Sequence, residues 1–390
     1  MKPMDNARPL YINAACLVEE WIYFASINSS WLFRLNVETN DLEALHILSG
    51  TKTGMKFSGL YYYNGMIWMI PWNADYIYVY KINESVIEQL PLPDEITGYS
   101  NSKQFRKSII QGKYLWLLPC EYPGIVRVDM EDKTYKIFND WPAGIFFDKS
   151  KKMNFKMMTL YENELYLFND GCNMSIKMST VTGEMTEWKA GCSRFFGTIS
   201  RNKLYTAPVT EFEPVKIIDL ESNRIIKDIT LPDKIWLRQP YLYCYWYTKI
   251  AGNKLFYMPH DANGIIMMDL ATDEVNILDT NVSDYDTIRP YRNYAVYDIL
   301  PYKEKYLAIP YQGSKIVLIN DKGKTDKEYL TKVDSKYMNI DFTENDMFSL
   351  KGFADIIRCT DYKKINWNNI NNKPAASDIG QRIHRMIRGN

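Results

Sequence analysis

The chain has 390 residues, of which 46% are hydrophobic and 14% aromatic, and its 47 Lys and Arg residues balance 47 Asp and Glu residues. A net charge near zero argues against the broad basic surface with which many proteins grip nucleic acid. The 30 Tyr and 10 Trp residues favour β-strands, because these side chains suit a half-buried pleated surface.

The N-terminal segment contains no apolar run of signal-peptide length, because charged residues such as Asp5, Arg8 and Glu19 interrupt it. No apolar stretch approaches the roughly 20 residues that a membrane-spanning helix needs. Six cysteines are scattered without a CxxC pair, at Cys16, Cys120, Cys172, Cys192, Cys244 and Cys359. We therefore expect a cytoplasmic protein without a transmembrane segment, in which the cysteines are reduced and serve as small core residues.

A two-part motif recurs along the chain. It consists of an apolar run that often ends in Pro, a polar loop, a second apolar run and a turn-rich tetrapeptide. The clear copies are IWMIPWNADYIYVYKINES from Ile67, LWLLPCEYPGIVRVDMEDK from Leu115, LYTAPVTEFEPVKIIDLESN from Leu204, LFYMPHDANGIIMMDLATDE from Leu255 and LAIPYQGSKIVLINDKGK from Leu307. Weaker copies begin at Ile22, Leu165 and Met347.

The copies repeat at a spacing that suits a β-propeller blade and exceeds that of leucine-rich or tetratricopeptide repeats. The intervals range from 39 residues (Tyr166 to Tyr205) to 51 residues (Tyr205 to Phe256). A further apolar segment precedes each motif and another follows it, which gives four strands, a to d, for each repeat. Turn sequences such as NVETND and DLATDE join strands c and d with the residues that hairpin turns need.

The sequence therefore predicts an all-β protein with a single β-propeller of four-stranded antiparallel blades over residues 1–367. Stacking the blades in a ring covers both faces of each sheet. We count eight blades, and the eighth would begin near Met347. Seven blades with an appended hairpin is the alternative.

Residues 368–390 are predicted to form a polar linker followed by a short amphipathic C-terminal helix. Ser377 or Asp378 would cap this helix, and Gly389 would follow its end. The apolar face would carry Ile379, Ile383, Met386 and Ile387, and the basic residues would be Arg382, Arg385 and Arg388. The helix would either pack on its own propeller or act as a docking element for a partner protein or an anionic membrane surface.

The repeat resembles those of the bacterial β-propeller superfamily, of a loosely kelch-like or PQQ-like type, over roughly residues 9–367. The double glycine of kelch repeats and the Trp-Asp dipeptide of WD40 repeats are both missing. The resemblance implies that a ligand binds at one face of the ring, where the b–c loops and the d–a connections surround the central channel. It carries over no functional residue.

Strand a is expected to line the channel, so the residues just before its apolar core are the candidate ligand contacts. They are Lys56, Arg106, Lys156 and Arg194 in four successive repeats, Tyr245, Tyr294 and Tyr337 in the next three, and Trp72 on a b–c loop. Converging basic side chains would attract an anion, and tyrosines would supply stacking area with a polar handle. Alternatively, the basic residues pair with loop carboxylates such as Glu121 and Asp170.

Two functions fit these features. One is a cytoplasmic binding module that holds a polar or anionic ligand, either sugar-like or an acidic peptide or partner protein. The other is a carbohydrate-active lyase or hydrolase, for which the candidate catalytic residues are His260, Asp261, Glu211 and Glu213. The chain has only three histidines and no nucleophile elbow or phosphate loop, which favours the binding module. We expect no cofactor and no metal site.

Overall fold

The computed structural model describes residues 7–49, 56–72, 74–98, 105–120, 122–142, 155–169, 175–188, 197–208, 213–231, 245–259, 262, 264–278, 296–310 and 313–339. The chain divides into two compact units, Met1–Thr343 and Glu344–Asn390, and all described residues belong to the first. The predicted C-terminal helix and the repeat from Met347 lie outside these residues. Within the described part, no helix is long and apolar enough to span a membrane.

Within the described residues, seven four-stranded antiparallel sheets follow one another, and each is built from one continuous stretch of chain. Blades 1 and 2 contain β2 (Ile12–Val18), β3 (Trp21–Ser26), β4 (Trp31–Asn36) and β5 (Leu42–Ile47), then β6 (Phe57–Tyr63), β7 (Met66–Pro71), β8 (Tyr76–Lys81) and β9 (Val86–Pro91). Helix α1 (Asp94–Thr97) follows. Blades 3 and 4 contain β10 (Phe105–Gln111), β11 (Tyr114–Pro119), β12 (Ile125–Asp129) and β13 (Thr134–Phe138), then β14 (Phe155–Tyr161), β15 (Glu164–Asn169), β16 (Ser175–Ser179) and β17 (Met185–Trp188).

The remaining three blades repeat the same order of strands. They contain β18 (Gly197–Ser200), β19 (Lys203–Thr206), β20 (Val215–Asp219) and β21 (Ile225–Ile229), then β22 (Tyr245–Ala251), β23 (Lys254–Pro259), β24 (Ile265–Asp269) and β25 (Val275–Leu278), and finally β26 (Val296–Tyr302), β27 (Lys305–Pro310), β28 (Lys315–Ile319) and β29 (Thr325–Leu330). The predicted propeller of four-stranded antiparallel blades is confirmed.

Among the described residues, the ring closes after seven blades. The first strand of each blade contacts the first strand of the next, and β26 of blade 7 contacts β2 of blade 1. These seven strands are therefore the inner strands that surround the channel. The prediction of eight blades is not confirmed, because the described part places blade 7 directly against blade 1.

The two ends of the described chain meet at this closure. Strand β1 (Ala7–Pro9) pairs with β30 (Lys332–Asp334), and the Thr331 hydroxyl donates hydrogen bonds to the carbonyls of Leu10 (3.1 Å) and Ser314 (2.9 Å). A 3-10 helix (Ser335–Tyr337) follows β30. The prediction that Tyr337 begins an inner strand is wrong, because Tyr337 lies in this helix and packs edge-on against Trp31, with ring centroids 5.2 Å apart.

The c–d turns explain why the turn-rich tetrapeptides recur. In blade 6 the Asp269 carboxylate accepts hydrogen bonds from the amides of Ala271 (2.7 Å) and Thr272 (3.1 Å), and Asp273 ends the turn at φ 60°. The amino group of Lys254, at 2.8 Å, and these amides lower the pKa of Asp269 to about 2. Equivalent side-chain caps are Asn36, Asp129, Ser179, Asp219 and Asn320.

Because antiparallel strands alternate in direction, the ring has two different faces. The a–b and c–d turns form one face, which we call the turn face. The b–c loops and d–a connections form the other, which we call the loop face. Between the blades lies the core, in which Trp68 of blade 2 is fully buried in one cluster with Leu115 and Val128 of blade 3. Burial of such large apolar side chains between sheets holds neighbouring blades together.

Candidate binding site in the central channel

Six of the seven inner strands contain a β-bulge near the loop face, visible as a register shift after the first paired residue. The described part of the seventh, β18, begins beyond this point. A bulge inserts one residue without a cross-strand partner and redirects its side chain. The inserted residues, which we call the bulge row, are Asn13, Ser58, Arg106, Lys156, Trp246 and Tyr297.

The bulge row brings together two of the predicted basic residues. Arg106 and Lys156 hold the same position in β10 and β14, whose strands contact each other. Arg106 is half-buried, whereas the Lys156 side chain lies outside the described part. Arg194 also lies outside it. The repeat therefore places a basic residue at the same position on two adjacent inner strands.

Lys56 lies just before β6, two residues before the bulge residue Ser58, and its side chain is fully buried. Its amino group donates hydrogen bonds to the carbonyls of Ser26 (3.1 Å) and Ser29 (2.6 Å) in blade 1. Burial lowers the pKa of Lys56 to about 7. Instead of lining the channel as predicted, Lys56 fastens the b–c loop of blade 1 to blade 2.

The predicted tyrosines also occupy different positions. Tyr245 precedes the bulge residue Trp246 and is fully buried, with its hydroxyl donating to the Gly264 carbonyl at 3.2 Å. Its role is therefore packing within blade 6 rather than contact with a ligand. Trp72 is half-buried, and its amide donates to the Lys56 carbonyl at 2.7 Å. Tyr294 lies outside the described part.

The candidate catalytic residues are not brought together by the described part. His260, Asp261 and Glu211 lie outside it, and Glu213 is half-buried just before β20. Within the described residues, no group of three or more His, Cys, Asp or Glu side chains could hold a metal ion.

Tyr297 is a bulge residue that the sequence analysis did not single out. Its hydroxyl donates a hydrogen bond to the Ser58 carbonyl, so it links blade 7 to blade 2. Blade 1 lies between these blades, and its inner strand carries the small buried residues Ala14 and Ala15. The Tyr297 side chain packs against the core cluster that includes Ala14, and Asn13 of the same inner strand donates to the Phe57 carbonyl at 3.0 Å.

A central polar cluster lies further along the inner strands, formed by Cys16, Tyr61, Lys249 and Asp298. The Lys249 amino group lies 2.7 and 2.9 Å from the two Asp298 carboxylate oxygens, and Asp298 also accepts the Ile299 amide at 2.8 Å. The side chains of Lys249 and Asp298 are 33% and 22% exposed. This pair offers a partly solvated donor and acceptor on adjacent inner strands.

The negative charge of Asp298 affects the pKa of side chains on the inner strands of two further blades. Burial and then Asp298 raise the pKa of the Cys16 thiol in blade 1 and of the Tyr61 phenol in blade 2. The Tyr61 hydroxyl donates to the Ser108 carbonyl of blade 3 at 2.8 Å. Cys16 and Tyr61 therefore stay protonated at neutral pH, and the charge of the cluster resides on the Lys249–Asp298 pair.

The sequence contains a signal for this pair that was missed. Lys249 and Asp298 lie in YWYTKIA and VYDILPY, the inner strands of adjacent repeats. If the repeats are aligned at their a–b turns, Lys249 and Asp298 fall on neighbouring inner strands at positions that differ by two residues.

No family model matches the chain, and no curated protein matches its sequence. A streptogramin B lyase structure is similar with a TM-score of 0.56 at 12% identity, over 80% of this chain and 93% of that chain. The protein YCF48 bound to D1 peptide gives 0.54 at 9% identity, over 83% and 96%. The extracellular domain of a hybrid two-component system from B. thetaiotaomicron gives 0.55 at 12% identity, over 82% and 41%.

These solved structures share the fold of this chain at low identity, so the likeness shows the fold alone. The chain is a β-propeller, as its repeats indicated.

Proposed function

We propose that this protein is a binding module that holds a polar or anionic ligand, sugar-like or an acidic segment of a partner protein, at the loop-face end of its channel. The observation that carries the proposal is the bulge row. Six inner strands carry the same local distortion at the same end, and bulges of this kind are enriched beside functional sites.

The residues of the bulge row differ from blade to blade in a way that suits an anion with a flat or apolar part. Arg106 and Lys156 are basic and occupy adjacent strands in blades 3 and 4. Trp246 and Tyr297 are aromatic and occupy blades 6 and 7. Basic residues on adjacent inner strands favour a ligand with negative charge, and aromatic residues on the inner strands of two other blades favour stacking on a sugar or a peptide group.

The Lys249–Asp298 pair supplies the next contacts along the channel. Its amino group can donate to a ligand and its carboxylate can accept, and both remain partly solvated. Hydroxyl groups of a sugar require this combination, since each hydroxyl both donates and accepts. A ligand with one anionic group and several hydroxyls would therefore contact both the bulge row and the Lys249–Asp298 pair.

The test is a screen of purified protein against an array of acidic glycans, polar metabolites and acidic peptides, followed by titration of each hit by calorimetry. We expect R106S/K156S to weaken binding of an anionic hit at least tenfold. The matched control, R224S/K322S, also removes two positive charges, but from exposed positions in c–d turns on the turn face. A hit that binds both double variants as tightly as the wild type would contradict the proposal, as would a wild-type protein that binds nothing in the screen.

A further inference from the structure

A cavity of about 640 Å³ lies between blades 7 and 1 on the turn face. The a–b turn of blade 7 and the start of the c–d turn of blade 1 form its rim, and Leu318 and Tyr329 contribute apolar surface. Its volume falls within the usual range for small-molecule sites. It lies on the opposite face of the ring from the bulge row.

The rim already holds one carboxylate. Glu38 of blade 1 accepts hydrogen bonds from the Tyr302 hydroxyl and from the Lys303 amino group, the latter at 2.5 Å. The hydrogen bond from Lys303, the one from Tyr302 and then the nearby charge of Lys327 lower the pKa of Glu38. We call Tyr302, Lys303 and Lys327 of blade 7 the cradle: the first two bind the Glu38 carboxylate, and Lys327 adds a nearby positive charge.

The ion pair between Glu38 and Lys303 is weak. The side chains of Glu38 and Lys303 are 51% and 70% exposed, and an ion pair this exposed contributes little to stability. Lys327 donates to the main-chain carbonyl of Val37 at 3.1 Å, and no carboxylate lies within ion-pair distance of it among the described residues. The cradle therefore carries two positive charges, of which Glu38 neutralises only one.

One further ion pair and one further carboxylate line the cavity. Lys305 lines the cavity and lies 2.7 Å from Asp326, so its charge is matched. Glu304 also lines the cavity and opposes an anion. A singly charged ligand would gain little over Glu38, whereas a compact group with several anionic oxygens would engage Tyr302, Lys303 and Lys327 together.

We propose that this cavity binds a compact polyanion whose oxygens replace the Glu38 carboxylate between Tyr302, Lys303 and Lys327. Binding displaces Glu38 and so removes its hydrogen bonds to Tyr302 and Lys303, whereas the Tyr329 hydroxyl still donates to the Val37 carbonyl of blade 1 at 2.8 Å. The site depends on blades 1 and 7 only and does not rest on the function proposed for the channel.

The experiment is a calorimetric titration at low ionic strength with inorganic pyrophosphate and, in a separate arm, with citrate. E38Q removes the competing carboxylate, so we expect it to bind at least fivefold more tightly than the wild type. K303S removes an exposed amino group and should weaken binding at least tenfold. E84Q, the matched change in the c–d turn of blade 2, should bind as the wild type does.

The two arms distinguish phosphate from carboxylate oxygens, and tighter binding in either arm by E38Q supports the site. R106S/K156S should bind the same probe as the wild type does, which separates this site from the channel. Equal or weaker binding by E38Q would overturn the proposal. So would the absence of measurable binding by both the wild type and E38Q at millimolar probe.

Discussion

The amino group of Lys249 lies 2.7 and 2.9 Å from the two carboxylate oxygens of Asp298 and so joins the inner strands of blades 6 and 7. Replacing Asp298 with Asn leaves the Lys249 charge without its carboxylate, and we expect a loss of about 1–2 kcal/mol in the free energy of unfolding. The double variant K249M/D298N removes both charges and should be more stable than the sum of the single losses predicts. Urea unfolding of the wild type, D298N, K249M and K249M/D298N measures this. Strictly additive losses in the free energy of unfolding would contradict a direct interaction.

Lys56 gives a pH dependence with a defined sign. The pKa of Lys56 is about 7 in the folded protein, whereas an ordinary lysine has a pKa of 10.5. Between pH 7 and pH 10, Lys56 is therefore protonated in the unfolded state and largely deprotonated in the folded state. The free energy of unfolding of the wild type should therefore rise with pH relative to that of K56M, by about 1 kcal/mol per pH unit. Below pH 7 both states bind the proton, and the difference levels off.

The measurement compares urea unfolding of both proteins at pH 7 and pH 9.5, so that titrations common to both cancel. K322M, which removes an exposed lysine from a c–d turn, serves as the control and should show no such trend. A difference between the wild type and K56M that stays constant over this range would mean that Lys56 titrates as an ordinary lysine.

Gly59 makes room for the ring of Tyr61. A Cβ atom at position 59 would lie 2.6 Å from Cε2 of Tyr61, so the ring would have to move and lose its hydrogen bond to the Ser108 carbonyl. We expect G59A to lower the free energy of unfolding by about 1–3 kcal/mol. In a Y61L background the same change should cost less than half as much, because leucine does not extend over Gly59. An equal cost in both backgrounds would place the strain elsewhere.

Thr331 ties the N-terminal segment to blade 7. Its hydroxyl donates to the carbonyls of Leu10 and Ser314, and the residue is fully buried. T331V keeps the shape but removes the donor, and we expect a loss of about 1–3 kcal/mol in the free energy of unfolding. T325V, an exposed change at the start of β29, is the control. If T331V unfolds at the same urea concentration as the wild type, the hydrogen bonds of the Thr331 hydroxyl do not contribute to closing the ring.

The blade pattern was predictable because it depends on local signals. Residues such as Asp269 and Asp273 cap and end the c–d turns through contacts within five residues, so each repeat shows them directly. The number of blades was not predictable in this way. It depends on the contact of β26 with β2, which lie at opposite ends of the described chain. Tyr337 fitted the local pattern of an inner strand but packs on Trp31 of blade 1 instead.

The equivalent positions of Arg106 and Lys156 could be predicted from the sequence, whereas their role as ligand contacts stays a prediction. Arg106 and Lys156 share a position as predicted, but Lys56 does not, because d–a connections of unequal length blurred the alignment by two residues. The bulge adds a residue that strand periodicity cannot reveal, and it decides which side chain is redirected. Contacts such as Tyr297 with Ser58 skip a whole blade and leave no pattern in the sequence.

The pairing of β1 with β30 sets an order of events during synthesis. Each blade is continuous in the chain and can form its sheet from local contacts soon after it leaves the ribosome. Ala7, however, waits for Asp334, about 330 residues later, which corresponds to tens of seconds at ordinary rates of translation. Until then the side of β2 that contacts β26 in the closed ring stays uncovered, which leaves apolar surface exposed on the nascent chain for most of its synthesis.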